Sequence, residues 1–91
     1  MGTKKWSIKY SPDFKKEWRK LDPSIQKKVI DFFSGRINDI EDPKVFAKTL
    51  TGNLKSFWRY RVGNHRLICE FREKEKVIYL VRIAHRREVY E

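Results

Sequence analysis

Ninety-one residues leave room for one domain spanning 1–91, and 22 Lys and Arg against 12 Asp and Glu give that domain a formal charge of +10. No apolar run approaches the ~20 residues that span a bilayer, and the N-terminal MGTKKWSIKY lacks the apolar stretch of a signal peptide. A single cysteine, Cys69, excludes an intramolecular disulfide framework and points to a reducing, cytoplasmic setting. The basic excess is +5 in residues 1–40 and +5 in residues 41–91, so it belongs to the fold and not to a tail. Such a surface suits a polyanionic partner, nucleic acid or an acidic protein segment, with solubility by charge as the plain alternative.

In chain order, KKWSIKY alternates Trp6, Ile8 and Tyr10 with polar residues, the pattern of a half-buried strand. A helix then starts at SPDF, with Ser11 as N-cap, Pro12 in the first helical position and Asp13 in the first turn; Phe14, Trp18 and Leu21 recur at helical spacing. Asp22-Pro23 repeats the device ahead of a second helix carrying Ile25, Val29, Phe33, Ile37 and Ile40 on one face. Asp42-Pro43 uses it again to open a short turn of helix around Val45–Thr49 that ends near Gly52. The period then changes: LKSFWRYRV, HRLICEF and KVIYLVRIA read as three strands, joined by a two-residue turn at Gly63-Asn64, both tolerant of positive φ, and a looser one at Glu73-Lys74-Glu75. The predicted fold is α+β, in the order β-α-α-β-β-β, with an antiparallel sheet and a helical hairpin on one face.

Alternation sorts the first strand of the meander. Trp58, Tyr60 and Val62 point to the helices as core, while Phe57, Arg59 and Arg61 point away. With Lys55 before them and Arg66 beyond the turn, they fall in a stretch, Lys55 to Arg66, that contains no acidic residue. Arginines so placed form either a solvated sheet face or a groove for a phosphate backbone, and Arg82 and Arg86 back the second reading. His65 reads as an exposed turn residue, Cys69 as a buried inert thiol, and Glu70 and Glu88 as ion-pair partners of nearby arginines. No Cys/His or carboxylate spacing would hold a metal and no Gly-rich loop opens a helix, so no metal or cofactor is expected. A cation-rich site with an imidazole and a phenol nearby suits RNA cleavage, in which the ribose 2′-OH is the nucleophile. The protein must then position the bond, stabilise the phosphorane charge and move protons. Arginine does the first two and is a poor base, which leaves His85 or Tyr90 for the protons.

The segments LTGNLKSFWRYRVGNHRLICEF and IAHRREVY, together with FKKEWRKLDPSIQKKVIDFF and DPKVFAKTLTG, resemble the RelE/ParE superfamily of bacterial type II toxins, on its RelE-like branch. The resemblance covers nearly the whole chain and implies a RelE-like fold. It also implies a metal-independent endoribonuclease, an mRNA interferase and hydrolase that stops translation by cutting messages in the ribosomal A site. The partners it implies are mRNA, the ribosome and a cognate RelB-like antitoxin, with operator DNA reached only through the antitoxin, and no membrane. Carried over by position, Arg61, Arg66 and Arg86 serve phosphate and transition-state charge, His85 is general base or acid, and Tyr90 orients the nucleotide or shares the proton work. Lys55, Arg59 and Arg87 are phosphate contacts. RelE carries lysines where this chain has Arg59 and Arg61, so a lysine base is unavailable here. Two other readings remain open: a ParE-like gyrase inhibitor without RNase activity, against which HRREVY weighs, and a non-enzymatic basic nucleic-acid-binding module.

Overall fold

The computed structural model describes residues 6–37, 42–50 and 57–85. Strand β1 (Ser7–Tyr10) leads into helix α1 (Pro12–Arg19), followed after a short break by helix α2 (Pro23–Phe32). A 3-10 turn (Pro43–Phe46) precedes the two-residue strand β2 (Lys48–Thr49), and β3 (Trp58–Val62), β4 (His65–Arg72) and β5 (Val77–His85) complete one five-stranded sheet in the order β1-β5-β4-β3-β2. The α+β class and the antiparallel β3–β4–β5 meander agree with the sequence pattern. The sheet as a whole is mixed, because β1 pairs parallel to β5. Parallel pairing needs a long crossover, and here the helical hairpin and the meander supply it. Among the described residues no helix is long and apolar enough to cross a membrane.

Local chemistry sets the element boundaries. The Ser11 hydroxyl accepts from the Phe14 N–H at 3.0 Å and donates to the Val81 carbonyl at 2.6 Å, so one buried side chain caps α1 and ties it to β5. Asp22 occupies the N-cap of α2, but its side chain makes no cap hydrogen bond; the backbone carbonyl of Asp22 takes the Ile25 and Gln26 N–H groups instead. The Gln26 side chain donates to the Trp18 carbonyl at 2.7 Å and closes the helical hairpin. Past Phe32 the helix widens into a π-turn over Phe33–Ile37, which suits apolar residues spaced by four rather than 3.6. Val29 and Phe33 are buried as expected, whereas the Ile37 side chain and Ile40 lie outside what the structure describes.

The expected helical turn at Val45–Thr49 is shorter than the pattern suggests. Asp42 caps Pro43–Phe46 through the Lys44 N–H, and Lys48 and Thr49 then extend to pair with Arg59 and Trp58. The outer edge of β3 offers unpaired backbone groups there, which outweighs continuation of a short helix. At the first hairpin Gly63 has φ +61° while Asn64 does not go positive, the signature of a type II′ turn. The second turn closes with Lys76 at φ +56°.

The helices cover one face of the sheet. Tyr60 is wholly buried there, in edge contact with Phe32, Phe33 and Phe71, and its hydroxyl donates to the Pro43 carbonyl at 2.6 Å. Tyr60, Val62, Leu67, Cys69, Ile78, Leu80 and Ile83 form the sheet side of the core and Trp58 packs against it, so the assignment of the Trp58–Tyr60–Val62 set to the interior holds. Burial pushes the Cys69 thiol up to about 12, helped by the neighbouring Glu70 charge, and raises the Tyr60 phenol well above its ordinary range, with charge on Cys69 and Asp42 adding to the burial effect. Cys69 is thus the inert thiol expected of it.

One irregularity governs the far end of the sheet. Cys69 pairs with Leu80 while Ile68 pairs with Arg82, so Val81 is an extra residue on β5. This β-bulge reverses the alternation of the strand. Leu80 and Ile83, three apart, both face the helices, and Arg82 does not.

Candidate nucleic-acid interface

Cross-strand partners share a face and neighbours along a strand alternate, so the register assigns each strand residue to a side. The face turned away from the helices carries Lys9 of β1, Arg82 of β5, Arg66 and Arg72 of β4, Arg59 and Arg61 of β3, and Lys48 of β2. Among the described strand residues Glu70 is its one carboxylate. Ile68 and Tyr79 give this open face an apolar and an aromatic patch, and the Arg72 guanidinium stands 4.2 Å from the Tyr79 ring centre.

Two cross-strand pairs on this face set like charges directly opposite: Lys48 with Arg59, and Arg61 with Arg66. Like charges at opposed positions destabilise a sheet, and an anion lying across both strands reverses the sign of that term. Arg61 is exposed and Arg59 and Arg66 are half-buried, so each stem packs against the sheet while belonging to the same cationic surface.

Arg72 and Arg82 are engaged by carboxylates of described residues. Arg72 lies 3.4 Å from Glu70, the ion pair expected of that glutamate. Arg82, expected to back the arginine cluster, instead reaches over the edge of β5 to Glu17 of α1, with Nε 2.7 Å from Oε2. The other oxygen of Glu17 accepts the Ile83 N–H at 2.9 Å. The pairing has a backbone cause: β1 ends at the Tyr10–Leu80 pair, which leaves β5 without a neighbour strand where Ile83 needs an acceptor.

The histidines occupy the other side. His65 is the half-buried first residue of β4, not an exposed turn residue, and the register sets it opposite His85, the last residue of β5. The rings meet edge to face with centroids 5.4 Å apart. Through the Val62–His65 and Leu67–Ile83 pairs both imidazoles share the helix-side face, whereas Arg61 and Arg66 are on the open one. Strand β5 thus ends with its imidazole at the same corner as the arginines but across the sheet from them. Arg86, Arg87 and Tyr90 follow directly in sequence; they, Lys55 and Glu88 lie outside the described residues.

His65 is the residue that sequence reasoning passed over. Counting back from the β4–β5 turn sets it against Ala84, and only the extra residue at Val81 shifts that count by one and brings it opposite His85. Lys48, Lys9 and Arg72 join the face only through strand pairings that no local pattern marks.

A second concavity, of about 500 Å³, opens between the helical hairpin and β1. Ile8, Tyr10, Phe14, Trp18 and Ile30 line it, and Lys15 and Arg19 are its charged lining residues. Tyr10 and Ile30 are about half exposed there, at 49% and 54%.

Residues 8–90 match the family model described as the ParE toxin of the type II toxin–antitoxin system parDE. Among curated proteins none matches the sequence. The fold is similar to that of the toxin–antitoxin complex RelBE2 from Mycobacterium tuberculosis (TM-score 0.79, 21% identity, covering 89% of this chain and 98% of that one). It is also similar to a mutant E. coli RelE toxin in the free state (TM-score 0.71, 17% identity, 90% and 84% covered) and to the archaeal RelE–RelB complex from Pyrococcus horikoshii (TM-score 0.66, 20% identity, 92% and 98% covered). The chain belongs to the ParE toxin family of the RelE/ParE superfamily: it is a type II toxin with a RelE-like fold.

Proposed function

We propose that this toxin is a metal-independent endoribonuclease that cuts mRNA in the ribosomal A site and is neutralised by a cognate RelB-like antitoxin. The observation that carries the reading is the open sheet face, where Arg61 is set against Arg66 and Lys48 against Arg59 with Glu70 as the one carboxylate among the described strand residues. Basic side chains gathered on adjacent strands of one sheet face suit an RNA backbone laid across β3 and β4. In the reaction the 2′-oxygen bonds to phosphorus and the bond from phosphorus to the 5′-oxygen breaks, leaving a 2′,3′-cyclic phosphate and a 5′-hydroxyl. Arg61, Arg66 and Arg86 stabilise the extra negative charge of the phosphorane, and Arg59, Lys55 and Arg87 hold flanking phosphates. His85, at the end of β5, carries the proton, and Tyr90 orients the nucleotide.

The groove beside β1 supports the partner. RelE toxins of similar fold are seen in complexes with RelB antitoxins. An apolar trough whose charged lining residues are Lys15 and Arg19 suits an amphipathic antitoxin segment with acidic flanks.

The family model's own description favours one other reading, inhibition of DNA gyrase by a ParE-like toxin. Brief induction followed by mapping of 5′ ends on translated and untranslated copies of one message separates the two. Cuts confined to translated codons support the RNase. Intact messages together with inhibited supercoiling by purified gyrase support the ParE-like activity and defeat the proposal.

A further inference from the structure

We propose that Tyr79, Arg72, Glu70 and Lys9 form a base-stacking platform for single-stranded RNA, at the end of the open sheet face remote from Arg61 and Arg66. The platform rests on the reading of this face as an RNA surface and not on cleavage. The strand register lays the face out in rows. Arg61 and Arg66 share one, and Lys48, Arg59, Ile68 and Arg82 share the next. Beyond them Glu70, Tyr79 and Lys9 stand side by side on β4, β5 and β1, followed by Arg72. From Arg66 to Arg72 the run along β4 is about 20 Å by the strand repeat.

The chemistry changes along that run. Among the described strand residues of this face Tyr79 is the one aromatic and Glu70 the one carboxylate, and the register sets them directly opposite. A carboxylate repels a phosphate, whereas it accepts hydrogen bonds from the N–H donors on a base edge. A ring beside such an acceptor therefore suits a base and not the backbone.

The Arg72 guanidinium stands 4.2 Å from the Tyr79 ring centre, and the exposed side chain is steadied by its 3.4 Å contact with Glu70. Ring, guanidinium and base then stack in that order. Lys9, exposed and directly opposite Tyr79 on β1, takes a phosphate on the outer side. The arginine rows hold backbone, and the platform holds a base further along the same RNA strand. A stack that served only the sheet would have the same geometry, so the two roles differ in whether bases add to affinity.

The test measures binding of two 2′-O-methyl octamers to the purified toxin by fluorescence anisotropy: oligoadenylate, and the same backbone with abasic sites throughout. Neither can be cut, because the 2′-oxygen is blocked. The wild type should bind the adenylate about tenfold more tightly. Tyr79→Ala should erase that difference and leave the abasic affinity unchanged, while Tyr79→Phe should keep it. Arg72→Lys, which retains the charge without the flat guanidinium at an exposed site, should lose most of it and stands in if Tyr79→Ala fails to fold. Arg61→Ala should weaken both octamers by the same factor. No binding of either octamer, equal binding of both, or a folded Tyr79→Ala or Arg72→Lys protein that keeps the difference overturns the platform. If the wild type leaves ribosome-bound message uncut while the Tyr79-dependent difference persists, the RNase reading fails and the platform stands. Cut message with no base dependence in the octamers does the reverse.

Discussion

Arg66 and His85 stand at one corner of the sheet and on opposite faces of it. Arg66 shares the open face with Arg61, directly across from it, while His85 shares the helix-side face with His65. The arginine face and the imidazole are therefore separated by the thickness of one strand layer, which any RNA-cleavage reading has to bridge.

The arginines should behave as charge, not as scaffold. Arg61→Ala removes an exposed side chain from the sheet face, so the melting temperature should change little. Single-turnover cleavage should fall by roughly 10²-fold, in line with loss of a donor to a developing oxyanion. The salt dependence of RNA binding, measured as log K against log salt, should flatten by about 0.7 for a single-stranded target.

Truncation tests the tail. Ending the chain before Val89 removes Tyr90 and leaves every described residue in place. The expected outcome is a circular dichroism spectrum and melting curve close to those of the full chain, with cleavage lost. Cleavage at the full rate would return residues 89–91 to the status of a solvated end.

Glu17 holds two structural bonds with one carboxylate. Glu17→Ala leaves the Ile83 N–H without its acceptor and Arg82 without its partner, at a cost of about 1–3 kcal/mol. Urea denaturation should show a lower midpoint at unchanged m-value. Arg82→Ala alone should cost less, since its head is exposed and the amide bond survives.

Alkaline pH should weaken the fold before it ionises the native core. The Cys69 thiol is raised from 9.0 to about 12 and the Tyr60 phenol is raised as well, so the folded state holds protons that the unfolded chain releases first. With folded values above unfolded ones, the contribution is complete below about pH 9 and is lost progressively as the pH climbs from there towards 12. Denaturation midpoints measured from pH 8 upward should fall along that course, and Cys69→Ala should flatten part of the slope. At pH 8 the thiol should react with iodoacetamide only after unfolding.

The groove beside β1 gives the partner test. Ile30→Asp changes a half-exposed lining residue and should leave the fold and RNA cleavage intact. Titration calorimetry with the cognate antitoxin should show at least tenfold weaker binding, because an acid would be buried against an apolar partner surface. Equal affinity would place the antitoxin elsewhere.

Much of the architecture was legible in one dimension. The caps at Ser11 and Asp42, the heptad-like spacing of Val29 and Phe33 and the alternation through Trp58, Tyr60 and Val62 are local signals, and local signals survive into the fold. What failed to show was everything set by pairing. Nothing local says that Lys48–Thr49 adds a strand to β3, or that β1 lies parallel beside β5. The arginines of β3 were readable because they sit on one regular strand. The partnership of His65 with His85 was not, because an extra residue at Val81 breaks the two-residue period that any count along β5 assumes.

That extra residue makes the frame of β5 matter as much as its composition. Losing Val81 would leave a regular ladder in which Arg82 still meets Ile68, Ile83 still meets Leu67 and His85 still meets His65, so the end of the strand keeps its faces. A one-residue insertion or deletion beyond the bulge, between Arg82 and His85, has no such slack and would carry His85 to the arginine side, so the bulge is the one place on this strand where the reading frame of the sheet can absorb the change.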